Sequence, residues 1–272
     1  MSRILLVFSV LVATAYCAAA QSLSYNQWQD HLPYNNCIAT VEAGNIIYAA
    51  TPYSLFYFNK TDDSKNRLNK VSGGLSDIGI SNIAFCTKLN TLVVAYSNTN
   101  IDLVKGSEIV NIPDIKRKQI LGNKTINSIL IIDKLAYMAC GFGIVVLDIE
   151  KEEIKDTYYI GPLGSQIDVK DLTFHEADSK FYAATEKGIF SASASANLAY
   201  YVNWIQEKSI TGPNSNFNLV ESFGGKVYAN KTKYVGDTDT LFVKEGNSWN
   251  YFARDNHSSH TSLKACGDRL LL

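Results

Sequence analysis

Tyr-Ala-Ala-Thr occurs at 48–51 and again at 182–185, and the two copies are not isolated. Tyr48, Val93, Tyr137, Tyr182 and Tyr228 hold equivalent places in five related phrases, so the chain repeats itself every 44 to 46 residues. RLLL at the C-terminus is a sixth copy, cut off. A second marker keeps the same phase: Ile38, Ile83, Ile129, Leu172, Leu219 and Leu263 each sit in a short apolar stretch upstream of the first marker. Two phased markers at this period point to a repeat architecture in which one supersecondary unit is copied and stacked.

The third copy shows the unit. Thr125–Ile132 and Leu135–Cys140 read as strands separated by the Asp133-Lys134 turn. Gly141-Phe142-Gly143 turns the chain again, and Ile144–Ile149 and Ile154–Tyr159 supply two further strands. Four short strands with brief turns make an antiparallel meander, with no helical period between them. A four-stranded unit of this length is a β-propeller blade, whose two apolar faces are buried only between neighbouring blades. The fold class is all-β, with blades starting near 38, 83, 129, 172, 219 and 263. Small pairs such as Ala49-Ala50 and Ala183-Ala184 are expected on inner strands near the axis, with Tyr and Phe outside. Trp204 and Trp249 fall at fourth-strand positions, and Trp28–His31 reads as a lone outer strand that completes the final blade. An unclosed ring exposes a strand edge. The chain therefore reads as truncated, with at least one further blade needed for closure.

The N-terminus reads as a leader. Arg3 precedes the apolar run Ile4–Ala15, and Ala18-Ala19-Ala20 offers a cleavage site, giving a signal peptide over 1–20 and a propeller over 21–272. No later segment reaches the length of a membrane span. The 25 Lys and Arg against 26 Asp and Glu give a formal charge of −1, and −2 once Arg3 leaves with the leader. That balance excludes non-specific nucleic-acid binding, which rests on a basic surface. Cys37, Cys86, Cys140 and Cys266 lack the spacing of a zinc site and lie among apolar residues, so buried free thiols are expected.

Chemistry-bearing motifs are sparse. Gly141–Gly143 precedes no helix and reads as a hairpin turn rather than a phosphate loop. His31 and His175 lie in separate copies, and His257 and His260 share the loop NHSSH without a visible third ligand, so no metal site is read from them. Asp62-Asp63-Ser64-Lys65 is half of a calcium loop at most, and reads as an exposed turn. No catalytic residue, cofactor or metal ligand is assigned. One basic cluster is visible: Lys116, Arg117 and Lys118, with Lys124 close by, on the loop leading into blade three. Such a cluster in a nearly neutral chain suits a phosphate-bearing ligand.

GGLSDIGISNIAF at 73–85, AYSNTNIDLV at 95–104 and FGIVVLDIEKEEIKDTYYIG at 142–161 together resemble the N-terminal propeller of the PorZ-type family of the type IX secretion system, within the wider two-component-regulator group of propellers. The likeness runs from Trp28 to about Trp204. Thr99 stands where the family commonly carries glycine, which leaves the local turn conformation open. Family members resemble two consecutive propellers followed by a small sorting domain, and this chain holds most of one propeller.

The resemblance implies a non-enzymatic role at the cell surface, peripheral to the outer membrane. The implied partners are a sortase and other attachment-complex proteins, with anionic lipopolysaccharide or another glycan as ligand. The alternative is a periplasmic propeller of a two-component regulator that senses oligosaccharide. An enzyme would need inward-facing acid–base pairs, and the sequence shows no convincing set.

Overall fold

The five repeats fold into five four-stranded antiparallel sheets in the computed structural model, which describes residues 34–71, 73–233, 239–254 and 259–272, with only the backbone of Arg254. The leader, the Trp28–His31 strand and His257 lie outside the described residues. Blade one comprises β1 (Ala39–Ala43), β2 (Ile46–Ala50), β3 (Leu55–Asn59) and β4 (Lys65–Leu68). Blade two comprises β5 (Ile80–Cys86), β6 (Thr91–Tyr96), β7 (Ile101–Lys105) and β8 (Glu108–Ile112). Blade three is β9 (Ile126–Ile132), β10 (Leu135–Cys140), β11 (Gly143–Asp148) and β12 (Glu153–Tyr158), within one residue of the sequence expectation throughout. Blade four is β13 (Val169–His175), β14 (Lys180–Thr185), β15 (Gly188–Ser193) and the two-residue β16 (Ile205–Gln206). Blade five is β17 (Phe217–Phe223), β18 (Lys226–Lys231), β19 (Thr240–Glu245) and β20 (Ser248–Arg254), followed by the hairpin β21 (Lys264–Cys266) and β22 (Arg269–Leu271). Both sequence markers find their places: Tyr48 to Tyr228 lie on second strands, and Ile83, Ile129, Leu172 and Leu219 on first strands.

Burial follows position in the sheet. β6 (TLVVAY) is buried at every residue because its two faces meet neighbouring blades and its two edges are paired. The outer strand β12 alternates exposed Glu153 and Lys155 with more buried Ile154 and Asp156, as a strand with one wetted face should. Each fully buried aliphatic side chain contributes about 1.5–3 kcal/mol. The main clusters interleave blades: Val93 and Leu103 of blade two pack with Met138, Val145 and Leu147 of blade three.

One expectation about placement is corrected. The Ala49-Ala50 and Ala183-Ala184 pairs lie on second strands, buried between blades, whereas first strands face the common polar cavity. That cavity, about 540 Å³, is lined by residues of β1, β5, β9, β13 and β17. The first strands also carry a feature absent from the sequence pattern. Pairing with the second strand slips by one residue at Ser81, Asn127, Lys170 and Asn218, the same place in blades two to five. A bulge at this point re-aims the side chains around it. Asn82 Nδ2 donates to Asn127 O (2.8 Å), Asn127 Nδ2 to Val169 O (2.6 Å), and Asn218 Nδ2 to His260 O (2.8 Å). Asp171 Oδ2 accepts from Val220 N (3.1 Å), and Thr173 Oγ1 from Ser222 N (3.2 Å). In every case a side chain of one blade grips the backbone of the next.

The cysteines divide. Cys86 and Cys140 are buried free thiols, and burial pushes the Cys140 thiol up to about 12. Cys37 and Cys266 are exposed, contrary to expectation, because among the described residues their segments are packed by a blade on one side only.

Thr99 settles the open turn between β6 and β7. Its φ is +67°, a left-handed conformation that is unusual for a β-branched residue, and it is buried with Oγ1 lacking a partner. Thr99 N donates to Tyr96 O (2.8 Å), which holds the turn shut despite the strain. Replacing Thr99 by glycine removes both the left-handed penalty and the orphaned hydroxyl, at some cost in unfolded-chain entropy, for a net gain of about 1 kcal/mol. A thermal melt should therefore show the Thr99→Gly variant melting higher. A lower melting temperature would mean that the buried threonine methyl outweighs the strain.

Candidate functional site

The connection from β8 to β9 carries the basic cluster. It is expected as a loop, and one turn of it is helical: α1, Asp114–Arg117, anchored by the buried Ile115. The helix is too short to satisfy its own C-terminal carbonyls, and Lys124 does so instead. Its Nζ donates to Ile115 O (3.0 Å), Lys116 O (3.0 Å) and Lys118 O (3.1 Å). Lys116 Nζ pairs with Asp77 Oδ2 at 2.6 Å, and Asn98 Nδ2 donates to the same oxygen at 2.6 Å. Partial burial alone would raise the Asp77 carboxyl, but these bonds to Lys116 and Asn98 bring it down to about 2. Lys116, Arg117, Lys118 and Lys124 are thus gathered on one segment, in two roles. Lys116 and Lys124 hold the segment together, while Arg117 and Lys118 make no side-chain hydrogen bond or ion pair among the described residues.

Beside α1 lies a cavity of about 310 Å³ that the sequence did not reveal. Ile115, Ile120, Phe142, Val145 and Ile154 give it an apolar wall, and Asp114, Lys118 and Thr157 a polar one. Its residues come from three separate stretches, so no local pattern could have announced it. The arrangement offers two unpaired cations next to a small apolar recess.

The remaining motifs resolve into structure. Gly141–Gly143 is the β10–β11 turn, and Asp62–Lys65 the turn into β4, where Asp62 Oδ1 accepts from Ser64 N at 3.0 Å. His175 Nδ1 lies 2.9 Å from Ser222 Oγ, and His260 N donates to Asp239 Oδ2 at 2.8 Å. Among the described residues no group of three His, Cys, Asp or Glu could hold a metal ion. In the cavity lined by first strands, Asp171 accepts from Leu172 N (3.0 Å) and Val220 N, yet burial raises its carboxyl above the ordinary range. Ser128 lies beside it without meeting hydrogen-bond geometry.

Comparison with known proteins draws these observations together. None of the curated proteins matches the sequence. Among solved structures, PorZ of Porphyromonas gingivalis, described as an essential bacterial surface component of the type-IX secretion system, superposes with a TM-score of 0.71 at 22% identity, over 84% of this chain. The chain spans 29% of the length of that protein. The extracellular domain of the putative hybrid two component system BT4673 from B. thetaiotaomicron gives a TM-score of 0.58 at 14% identity, covering 85% of this chain and 29% of its own. The Cps50 (Swd1) β-propeller domain of Myceliophteria thermophila gives 0.57 at 9% identity, covering 80% and 69%. At these identities the likenesses establish the propeller fold. The family described as "TSS9, PorZ, N-terminal beta-propeller domain" matches residues 47–205, more than half of the chain and all of the α1 segment, and the chain belongs to that family.

Proposed function

We propose that this chain supplies the N-terminal propeller of a non-enzymatic scaffold at the bacterial cell surface, within a type IX attachment complex, where it presents anionic lipopolysaccharide to a sortase. The family match over 47–205 carries the proposal. Export by the 1–20 leader belongs to it, and no helix among the described residues is long and apolar enough to cross a membrane. Arg117 and Lys118 are the groups that meet the anionic part of the ligand, and Lys116 and Lys124 hold them in place.

The test is binding of the chain to vesicles containing anionic lipopolysaccharide, at low and high salt, with an Arg117→Gln/Lys118→Gln variant beside the parent. Lys116 and Lys124 stay intact because both bond within the segment. A basic residue near an anionic lipid surface is worth about 1 kcal/mol, so the variant should bind roughly 30-fold more weakly at low salt. The gap should narrow as salt rises, since charges are screened within about 10 Å at 0.1 M. Equal affinities at both salts would remove the cluster from lipopolysaccharide binding. Preference for a neutral oligosaccharide would favour the periplasmic sensor, a reading in keeping with the fold likeness to the BT4673 extracellular domain.

A further inference from the structure

Several partly or largely exposed lysines are paired with carboxylates although water could serve them. Lys105, Lys116, Lys134, Lys170 and Lys226 pair with Glu152, Asp77, Glu150, Asp168 and Glu245, at 2.5 to 2.6 Å. Lys244 on β19 is more buried than any of these and has no such partner. It is 8% exposed, and no carboxylate lies within ion-pairing distance among the described residues. Its chain neighbour Glu245 is taken by Lys226. Lys244 Nζ donates to Gly246 O (2.6 Å) and sits 6.0 Å from the centre of the Tyr182 ring, so an ammonium with three donors has one acceptor and a ring face. An uncompensated charge at this depth is destabilising.

The ammonium borders a cleft of about 280 Å³ between blades four and five. Lys180 lines the same cleft and also has no ion pair or side-chain hydrogen bond among the described residues. His175 lines it too, with Nδ1 engaged by the Ser222 hydroxyl, so Nε2 is the ring's remaining polar atom. The one acid on the cleft, Asp178, has its Oδ2 occupied by the Tyr182 hydroxyl at 2.5 Å. Glu176 and Glu221 line the adjoining cavity rather than this one.

We infer that this cleft is a binding site for a phosphate-type anion, whose oxygens supply the acceptors that Lys244 and Lys180 lack. Phosphate offers several strong acceptor oxygens, and charge-assisted bonds to ammonium groups are about twice as strong as neutral ones. The volume admits inorganic phosphate or the phosphate end of a small sugar ester. The site lies on other blades than α1 and does not depend on the glycolipid reading.

The experiment follows thermal unfolding and calorimetric binding of the full chain at constant ionic strength, with inorganic phosphate, a hexose phosphate, and chloride as control. Either phosphate should bind saturably and raise the melting temperature by about 5 °C or more at a hundredfold excess over Kd. Tighter binding of the ester identifies a phosphorylated glycan as ligand, and equal binding identifies free phosphate. Lys244→Met should abolish the effect and by itself melt higher than the parent without ligand, because an unpaired buried charge has gone. Lys180→Gln should weaken binding about tenfold at unchanged ligand-free stability. Absence of saturable binding, its persistence in Lys244→Met, or a lower ligand-free melting temperature in that variant would overturn the inference. Should Lys244→Met fail to fold, undiminished affinity in Lys180→Gln would do the same.

Discussion

Asp102→Ala is expected to lower the stability of the chain by about 3–5 kcal/mol, since each buried donor left without an acceptor costs about 1–3 kcal/mol and the costs are not additive. Asp102 lies on β7 with no exposed surface. Its Oδ2 accepts from the Tyr96 hydroxyl (2.6 Å) and Ser76 N (2.8 Å), and its Oδ1 from Asn111 Nδ2 (2.8 Å). The carboxylate is held by neutral donors from three segments, and removing it leaves the Tyr96 hydroxyl and Ser76 N without an acceptor, while Asn111 Nδ2 keeps Asn100 Oδ1 (3.0 Å) and Ile101 O (3.1 Å). Burial and the bond to Asp102 both push the Tyr96 phenol well above its ordinary range, so that hydroxyl remains a donor under all working conditions. Asp102→Asn, which loses one acceptor and keeps the volume, should cost less than half as much. Urea titration of the three proteins checks this. A loss under about 1 kcal/mol for the alanine variant would show that water or backbone movement rescues the donors. Asn111 lies two residues before Pro113, so the same variant should also loosen the segment from which α1 departs.

Gly188→Ala should be nearly as damaging, about 3–4 kcal/mol, from backbone strain of about 1–3 kcal/mol plus overpacking of similar size. Gly188 opens β15 with φ +120°, and a methyl group there would stand 2.1 Å from Pro213 O and 2.9 Å from Gln206 Nε2. The first of these is backbone and cannot swing aside. Gly143 holds the same position in blade three, with φ +147° and 2.3 Å to Tyr158 O. Gly44→Ala is the control: φ is +62° but nothing lies within 4 Å of the added methyl, so only the left-handed cost of about 1 kcal/mol remains. Equal losses for the two variants would show that the crowding at Gly188 relaxes freely.

Blade number and strand boundaries were legible because a blade is a local object. Its turns carry Gly, Asp and Asn, and its strands carry continuous or alternating apolar runs, all within one 45-residue window. The basic cluster was legible for the same reason, being nearly contiguous. Its division of labour was not, because Lys124 is bound to carbonyls and Lys116 to Asp77, and neither partner is marked by residue type. The apolar recess beside α1 and the unpaired Lys244 share that character. Each is defined by what lies across a blade interface, where the strand pattern is silent. The bulges were hidden because they add one residue to a first strand, a change within the ordinary variation of the repeat length. Burial of the cysteines was misjudged at Cys37 and Cys266, whose flanking apolar residues describe a strand's chemistry but not how many neighbours cover it.

The grip of each blade's side chains on the backbone of the next has a direction, and direction matters to a chain that emerges one end first. When Asn82 is in place its partner carbonyl, on Asn127, has yet to arrive, and Asn127 in turn waits for Val169. Asp171 and Thr173 wait for Val220 and Ser222. A blade that has just appeared can pair its own strands but still presents unanswered polar side chains forward. The blade behind it, already answered, presents none from this set. In a chain that emerges N-terminus first, the side of the stack that stays receptive is therefore the C-terminal one. A copy of the chain circularly permuted between blades two and three would keep every sheet and reverse the order at that one junction, where Asn82 would arrive after Asn127.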